Sequence, residues 1–253
     1  IKIHRDDVVL ATMGRSFWVM DNINYLRNLD NEDIGTLYPV ANTIRYRYRP
    51  SNNNHVLYPQ TTVDFDYKLN SNEVSDITIS IYDLEDNLIN SYRSSEGSDQ
   101  VDDYEMSTNE FTYISSSKIS KKTGINRFNW DMRHRGSWSK NNRFSFRNGP
   151  MVKPGKYKVK FNISGNTYSQ DFEILPDPRL SDISGDDYNE QEEVLLEIRD
   201  FMTDVRKFEN MVESKMEKKK KNRDLNLVSK ELNTQEGTYM RPMLIDQIRY
   251  LQS

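Results

Sequence analysis

The clearest pattern in the chain lies between residues 124 and 174. Tyr157, Val159, Phe161 and Ile163 alternate with Lys156, Lys158, Lys160 and Asn162. That period of two puts apolar groups on one face of a strand and charges on the other. Pro154-Gly155 marks a turn ahead of it, and Gly165-Asn166 predicts the turn into a return strand carrying Tyr168, Phe172 and Ile174. Upstream, Phe128 and Trp130 share one face of a further strand, and Trp130 is the bulkiest candidate for the core centre. Val63, Phe65, Tyr67 and Leu69, then Ile77, Ile79 and Ile81, repeat the alternation. Asp86-Asn87 reads as a turn before a strand at Leu88 to Tyr92. Together these describe a β-sandwich.

On either side of it the pattern changes. Val8 to Ala11 and Phe17 to Met20 flank a turn at Gly14 and predict a β-hairpin. Two strands alone bury too little to be stable, so this hairpin needs a sheet to join. Residues 28–60, with Pro39, Pro50 and Pro59, read as an extended surface linker, with one edge strand at Ile44 to Tyr48. After Pro176-Asp177-Pro178 the period becomes helical. Val194, Leu195, Ile198, Phe201, Met202, Val205, Phe208, Met211 and Val212 recur at three- and four-residue spacing. This predicts one long amphipathic helix from Asp187 to about Lys219, capped by Asp186 or Asp187, with Leu195, Ile198, Met202 and Val205 buried. Leu225 to Leu232 and Met243 to Leu251 predict two shorter helices folding back on it as a helical hairpin.

Composition narrows the classes. The net charge of -4 gives no electrostatic case for nucleic acid, and no apolar run approaches the ~20 residues of a membrane span. With no cysteine, disulfides, thiolate metal sites and cysteine nucleophiles are excluded. The chain starts at Ile1 without an initiator Met or a signal-like segment, so the expectation is a piece of something longer.

Candidate chemistry is sparse. His4, His55 and His134 lack a ligand-like spacing, and neither G-x-S-x-G nor a glycine-rich phosphate loop occurs. Asp99, Asp102, Asp103 and Glu105 are hard oxygen donors in an acidic loop, without the spacing or the glycine of an EF-hand. Tyr46 and Tyr48 among Arg45, Arg47 and Arg49 could form an aromatic–basic surface. The run Lys215 to Arg223 suits a helix C-terminus as well as an anionic partner. Arg133, His134, Arg135 and Trp138 make a second basic–aromatic loop. Glycoside hydrolysis needs two carboxylates across a sugar ring. Asp21 and Asp131 are the two to consider, but both follow Trp-containing strands where Asp commonly caps a turn. No catalytic, cofactor or metal residue is therefore assigned.

The run V-V-L-A-T-M-G-R-S-F-W-V-M-D-N-I-N-Y-L-R resembles the closing blade of sortilin-like propellers built from bacterial-neuraminidase (Asp-box) repeats, proteins commonly labelled glycosyl hydrolases. Thr12, Gly14, Arg15, Ser16, Phe17, Trp18, Asp21, Leu26 and Arg27 match that pattern, and Met13 stands where the family usually has His. The likeness continues at residues 37–48, 124–133, 153–159, 177–181, 196–200 and 242–251. The central module also resembles the immunoglobulin-like domain of the flagellar hook-capping protein. What the resemblance implies is a mainly β chain with added α. Closing propeller strands would occupy 1–27, a linker 28–60, an immunoglobulin-like sandwich 61–176 and a helical tail 177–253. It implies a bacterial, extracytoplasmic, non-catalytic structural or interaction region. Its first partner would be a preceding propeller of the same polypeptide, and cell-surface proteins or glycans further ones. The parent would be a glycoside hydrolase or, alternatively, a non-enzymatic surface assembly or receptor-like binding protein.

Overall fold

The computed structural model describes residues 1–4, 6–29, 37–46, 61–70, 76–94, 119–138, 149–218, 223–233 and 241–252. Among them the protein is a mixture of sheets and helices in which the sheets dominate. It divides into two compact units, Ile1–Met132 with Lys153–Asp182, and Arg133–Val152 with Ile183–Ser253.

The first unit opens with an antiparallel sheet of β1 (Lys2–His4), β2 (Asp7–Ala11) and β3 (Phe17–Met20), in that order. The predicted hairpin is present, and its turn is closed by a Thr12 N to Ser16 O bond of 3.2 Å with Gly14 at φ 82°. A third strand joins it, pairing Lys2 with Val9 and His4 with Asp7. Lys-Ile-His is too short to show an alternation, which is why the pattern missed it. One helical turn, α1 (Asn24–Arg27), follows.

Seven strands build the main body: β4 (Thr43–Arg45), β5 (Val63–Leu69), β6 (Ile77–Tyr82), β7 (Leu88–Arg93), β8 (Gly124–Trp130), β9 (Gly155–Ile163) and β10 (Asn166–Pro176). Five form a sheet in the order β4-β10-β9-β6-β7, and β5 pairs with β8. Apart from β4, which runs parallel to β10, these pairings are antiparallel. The two sheets meet through rings: Phe65 packs on Phe161 and Phe172, Tyr92 on Phe128, and Trp130 on Tyr157 and Phe172, with centroids 4.9 to 6.3 Å apart. Trp130 is fully buried, as are Ile77, Ile79, Ile81, Val159 and Phe161. Edge-to-face pairs of this kind add about 0.5–1.5 kcal/mol each beyond the area they bury.

Two expectations are corrected here. The β9–β10 turn is Ser164-Gly165, at φ 49° and 89°, and Asn166 already pairs with Ile163. Two successive positive φ angles match the right-handed twist of the flanking strands, and glycine takes the second at no steric cost. The stretch 28–60 is not a wholly superficial linker, because Leu37 and Tyr38 are buried. Leu37 bridges Tyr67, and the Tyr38 amide donates to the Asp66 carbonyl at 2.9 Å. These bonds occupy the edge of β5 that does not face β8, and so satisfy backbone groups that burial would otherwise strand.

The second unit is built on α2 (Gly185–Lys218), α3 (Arg223–Leu232) and α4 (Leu244–Gln252). The helix begins two residues earlier than its acids suggested, on a reciprocal cap. The Asp187 amide donates to Ser184 Oγ at 3.2 Å, and the Asp187 carboxylate receives the Ser184 amide at 2.8 Å. The Ser184 hydroxyl also donates to that carboxylate at 2.7 Å, and this bond first, then the one from the Ser184 amide, hold the Asp187 carboxyl below its ordinary value. Met202 and Val205 are buried with Leu232, Ile245 and Ile248, so both shorter helices fold onto the long one; Ile198 is half-buried against this cluster and Leu195 only half-buried. Val194, Phe201, Phe208 and Met211, part of the same apolar recurrence, are instead exposed. Among the described residues no helix is long and apolar enough to cross a membrane.

Candidate functional site

On β5 and β8 the inward residues are apolar or aromatic apart from Asn126, so the alternate positions Asp64, Asp66, Arg127 and Asn129 share the opposite face. The register sets Asp66 directly against Arg127 and Asp64 against Asn129. Arg127 Nε and Nη2 donate to the two Asp66 carboxylate oxygens at 2.7 and 3.0 Å, and Nη1 lies 3.3 Å from Asp64. The same guanidinium donates to the main-chain carbonyls of Asp21 at 3.1 Å and Asn22 at 2.8 Å. The Tyr25 ring stands 5.8 Å from it. Asn22, at φ 49°, donates its amide to the Asp7 carboxylate, and the Ile23 amide donates to the Asp6 carbonyl at 2.7 Å. Asp6 also pairs with Arg27 at 2.6 Å. One arginine thus ties the segment after the N-terminal sheet to the back of the β5–β8 pair.

The electrostatics follow from three carboxylates, Asp64, Asp66 and Asp21, around one cation. Burial holds the Asp66 carboxyl above its ordinary value, with the Arg127 bonds opposing. Asp21 is also raised, by partial burial first and then by the Asp7 and Asp64 charges. Burial works against the Arg127 charge, but the Asp66 bonds together with the Asp66, Asp64 and Tyr25 charges outweigh that and leave its pKa raised. Coulomb attraction at such separations is several-fold stronger than in water. The chemistry this arrangement performs is anchoring: each donor of the fork is committed to a protein oxygen.

The residues singled out by sequence are dispersed. Asp21 contributes its carbonyl to this anchor, whereas Asp131 follows Trp130 at the end of β8. His4 is exposed on β1. His134 is buried, its Nε2 lying 2.8 Å from Glu192 Oε1 on α2. From the same loop the Trp138 amide donates to Thr203 Oγ1 at 3.0 Å, and Arg206 donates to Ser137 Oγ at 2.8 Å. The loop is therefore stitched to the long helix. Arg133 bonds the Gly149 carbonyl at 2.9 Å, and Arg135 is exposed. Tyr46 stacks with Arg179, which is locked on Asp177; Arg45 lies on β4. Tyr48, Arg47, Arg49, His55, Asp99, Asp102, Asp103, Glu105 and the stretch 219–222 lie outside the described residues. Among the described residues no group of three or more His, Asp or Glu is placed to hold a metal ion.

Arg127, Asp66 and Glu192 were not singled out by sequence. The signal for the first two was available: aligning V-D-F-D-Y antiparallel to N-R-F-N-W with the aromatics inward leaves two acids facing one arginine. Compared with family models, with curated proteins and with solved structures, the chain finds no match.

Proposed function

We propose that this chain is the non-catalytic structural and interaction region that follows a sortilin-like, Asp-box-repeat propeller of the glycosyl hydrolase type. In this reading β1–β3 belong to the closing blade, the two-sheet body is an immunoglobulin-like support, and the helical unit is a docking module, all on the outside of a bacterial cytoplasmic membrane. The observation that carries it is the open N-terminal sheet. Ile3, Leu10, Phe17, Trp18, Val19 and Met20 are each 37 to 75% exposed. A three-stranded sheet that leaves Trp and Phe in water needs a further apolar layer or further strands. Of the residues matching the propeller pattern, Phe17 and Trp18 lie on β3, Thr12, Gly14, Arg15 and Ser16 lie in the turn that joins it to β2, and Asp21 follows it.

The experiment is amide exchange on isolated 1–253. Residues 1–21 are expected to exchange rapidly, because their sheet is incomplete, while 156–174 exchange slowly in the aromatic body. Slow exchange over 8–20 in the isolated monomer would mean that the sheet is finished within this chain, and the reading would fall.

A further inference from the structure

The turn that follows β10 places a nucleophile beside a labile bond. Pro176-Asp177-Pro178 contains the single Asp-Pro bond of the chain. The carboxylate of an aspartate is one ring closure away from its own main-chain carbonyl carbon, and the ring formed is a five-membered anhydride. Proline is the leaving group that such an attack needs. Its nitrogen belongs to a tertiary amide and takes up a proton more readily than an ordinary peptide nitrogen. A nucleophile on the same residue also brings the orientation that a free carboxylate lacks.

The fold activates the carbonyl and restrains the nucleophile. Leu180 donates its amide to the Asp177 carbonyl oxygen at 3.0 Å, closing a turn over Pro178 and Arg179. That donor stands where negative charge develops when the carbonyl is attacked. The carboxylate, on a residue only 5% exposed, is held by Arg179. Nε donates to its two oxygens at 2.8 and 3.2 Å, Nη2 donates at 2.6 Å and the backbone amide at 3.0 Å. The Tyr46 ring stands 5.5 Å from the same guanidinium. A carboxylate with both oxygens in a charged fork must leave it to reach its own carbonyl carbon.

We infer that Asp177-Pro178 is a self-cleavage site and that Arg179 is its lock. With the fork open, a carboxylate oxygen of Asp177 attacks the carbonyl carbon of the same residue. The C–N bond to Pro178 breaks as acid from solvent protonates that nitrogen. The products are a cyclic anhydride on Asp177 and a secondary amine on Pro178. One water then opens the anhydride, restoring the side-chain carboxyl and leaving a new C-terminal carboxyl. Cleavage severs the covalent chain between β10 and α2, while the bonds from the 133–138 loop to Glu192, Thr203 and Arg206 remain. This inference is independent of any upstream propeller.

Mass spectrometry of the full chain in mild acid tests it, the expected fragments being 1–177 and 178–253. At about pH 4 the folded Arg179→Gln variant should cut about tenfold or more faster than wild type, with an unchanged circular dichroism spectrum. In denaturing urea, where no fork exists, the two should cut alike. Asp177→Glu, which closes only a six-membered ring, should cut far more slowly in either state. The pH profile is a second readout, because the reaction consumes one carboxylate and one proton. Asp177 stays ionised down to about 2, so the wild-type rate should rise about tenfold per unit from about pH 5 to 3, and that of Arg179→Gln should flatten. No cut at this bond in Arg179→Gln would overturn the proposal, as would equal rates in the folded state. So would the same gain in urea, an unchanged profile, or Asp177→Glu cutting as fast as the aspartate.

Discussion

Arg127 grips both carboxylate oxygens of Asp66 from the facing strand while its remaining donors hold the backbone of Asp21 and Asn22. A fork committed on every prong is a fixed point, and it belongs equally to the two-stranded sheet and to the segment that leaves the N-terminal sheet. Removing it strands Asp66, which is only 5% exposed. Arg127→Ala is expected to cost about 2–4 kcal/mol in urea unfolding, and Asp66→Asn/Arg127→Gln together less than Arg127→Ala. In the single variant the loss should depend on pH. The folded Asp66 pKa already stands above 3.8 through burial, and without the guanidinium it rises further. Its protonated form then favours folding below the unfolded pKa, and that contribution disappears as pH climbs through the folded one. The variant should accordingly be closer to wild type near pH 4 than at pH 7.

Asp177 presents the opposite case. Arg179 donates to it from Nε, Nη2 and the backbone amide, and these bonds hold its carboxyl down to about 2. A depressed folded pKa gives stability that is complete above the unfolded value of 3.8 and lost as pH falls through the folded one. A carboxyl-detected titration should find Asp177 titrating at about 2 in the native protein. Arg179→Gln should bring it back towards the ordinary carboxylate range; an unmoved titration would show that the guanidinium is not its cause.

Gly149 is a steric requirement. A Cβ there would lie 1.9 Å from the His134 carbonyl oxygen and 2.8 Å from the Arg135 carbonyl carbon, both backbone atoms that cannot swing aside. The His134 amide meanwhile donates to the Pro150 carbonyl at 2.8 Å, so the two segments are held at that separation. Gly149→Ala should destabilise the loop by about 1–3 kcal/mol. In thermal unfolding it should lower the midpoint, and in spectra it should shift His134 and Trp138 while leaving Trp130 in place.

Local periodicity made the body readable in advance. The lysine–apolar alternation of β9 and the Phe128–Trp130 pair of β8 are properties of five to eight consecutive residues, and they end in the aromatic core where expected. What depended on distant partners was not readable. His134 and Glu192 are 58 positions apart, and Arg127 meets Asn22 across 105. Apolarity in a helix told which residues avoid polar neighbours, but not which of two adjacent stripes the shorter helices would choose. Thus Met202 and Phe201, neighbours in sequence, end on opposite sides of that choice. Leu37 and Tyr38 were hidden for another reason: two buried residues in a polar stretch set no period.

The chain passes into the helical unit at Arg133, leaves at Val152 and returns at Ile183. During synthesis, which delivers N-terminal segments first, the 133–138 loop emerges well before the helix that holds it. Until Glu192 and Thr203 are made, the His134 ring and the Trp138 amide have only water to bond. The β9–β10 hairpin, closed by a two-residue turn and emerging in between, can pair at once. A chain halted near residue 180 would therefore carry a finished aromatic body with a raw, unfastened loop, recognisable to a protease as an incomplete product.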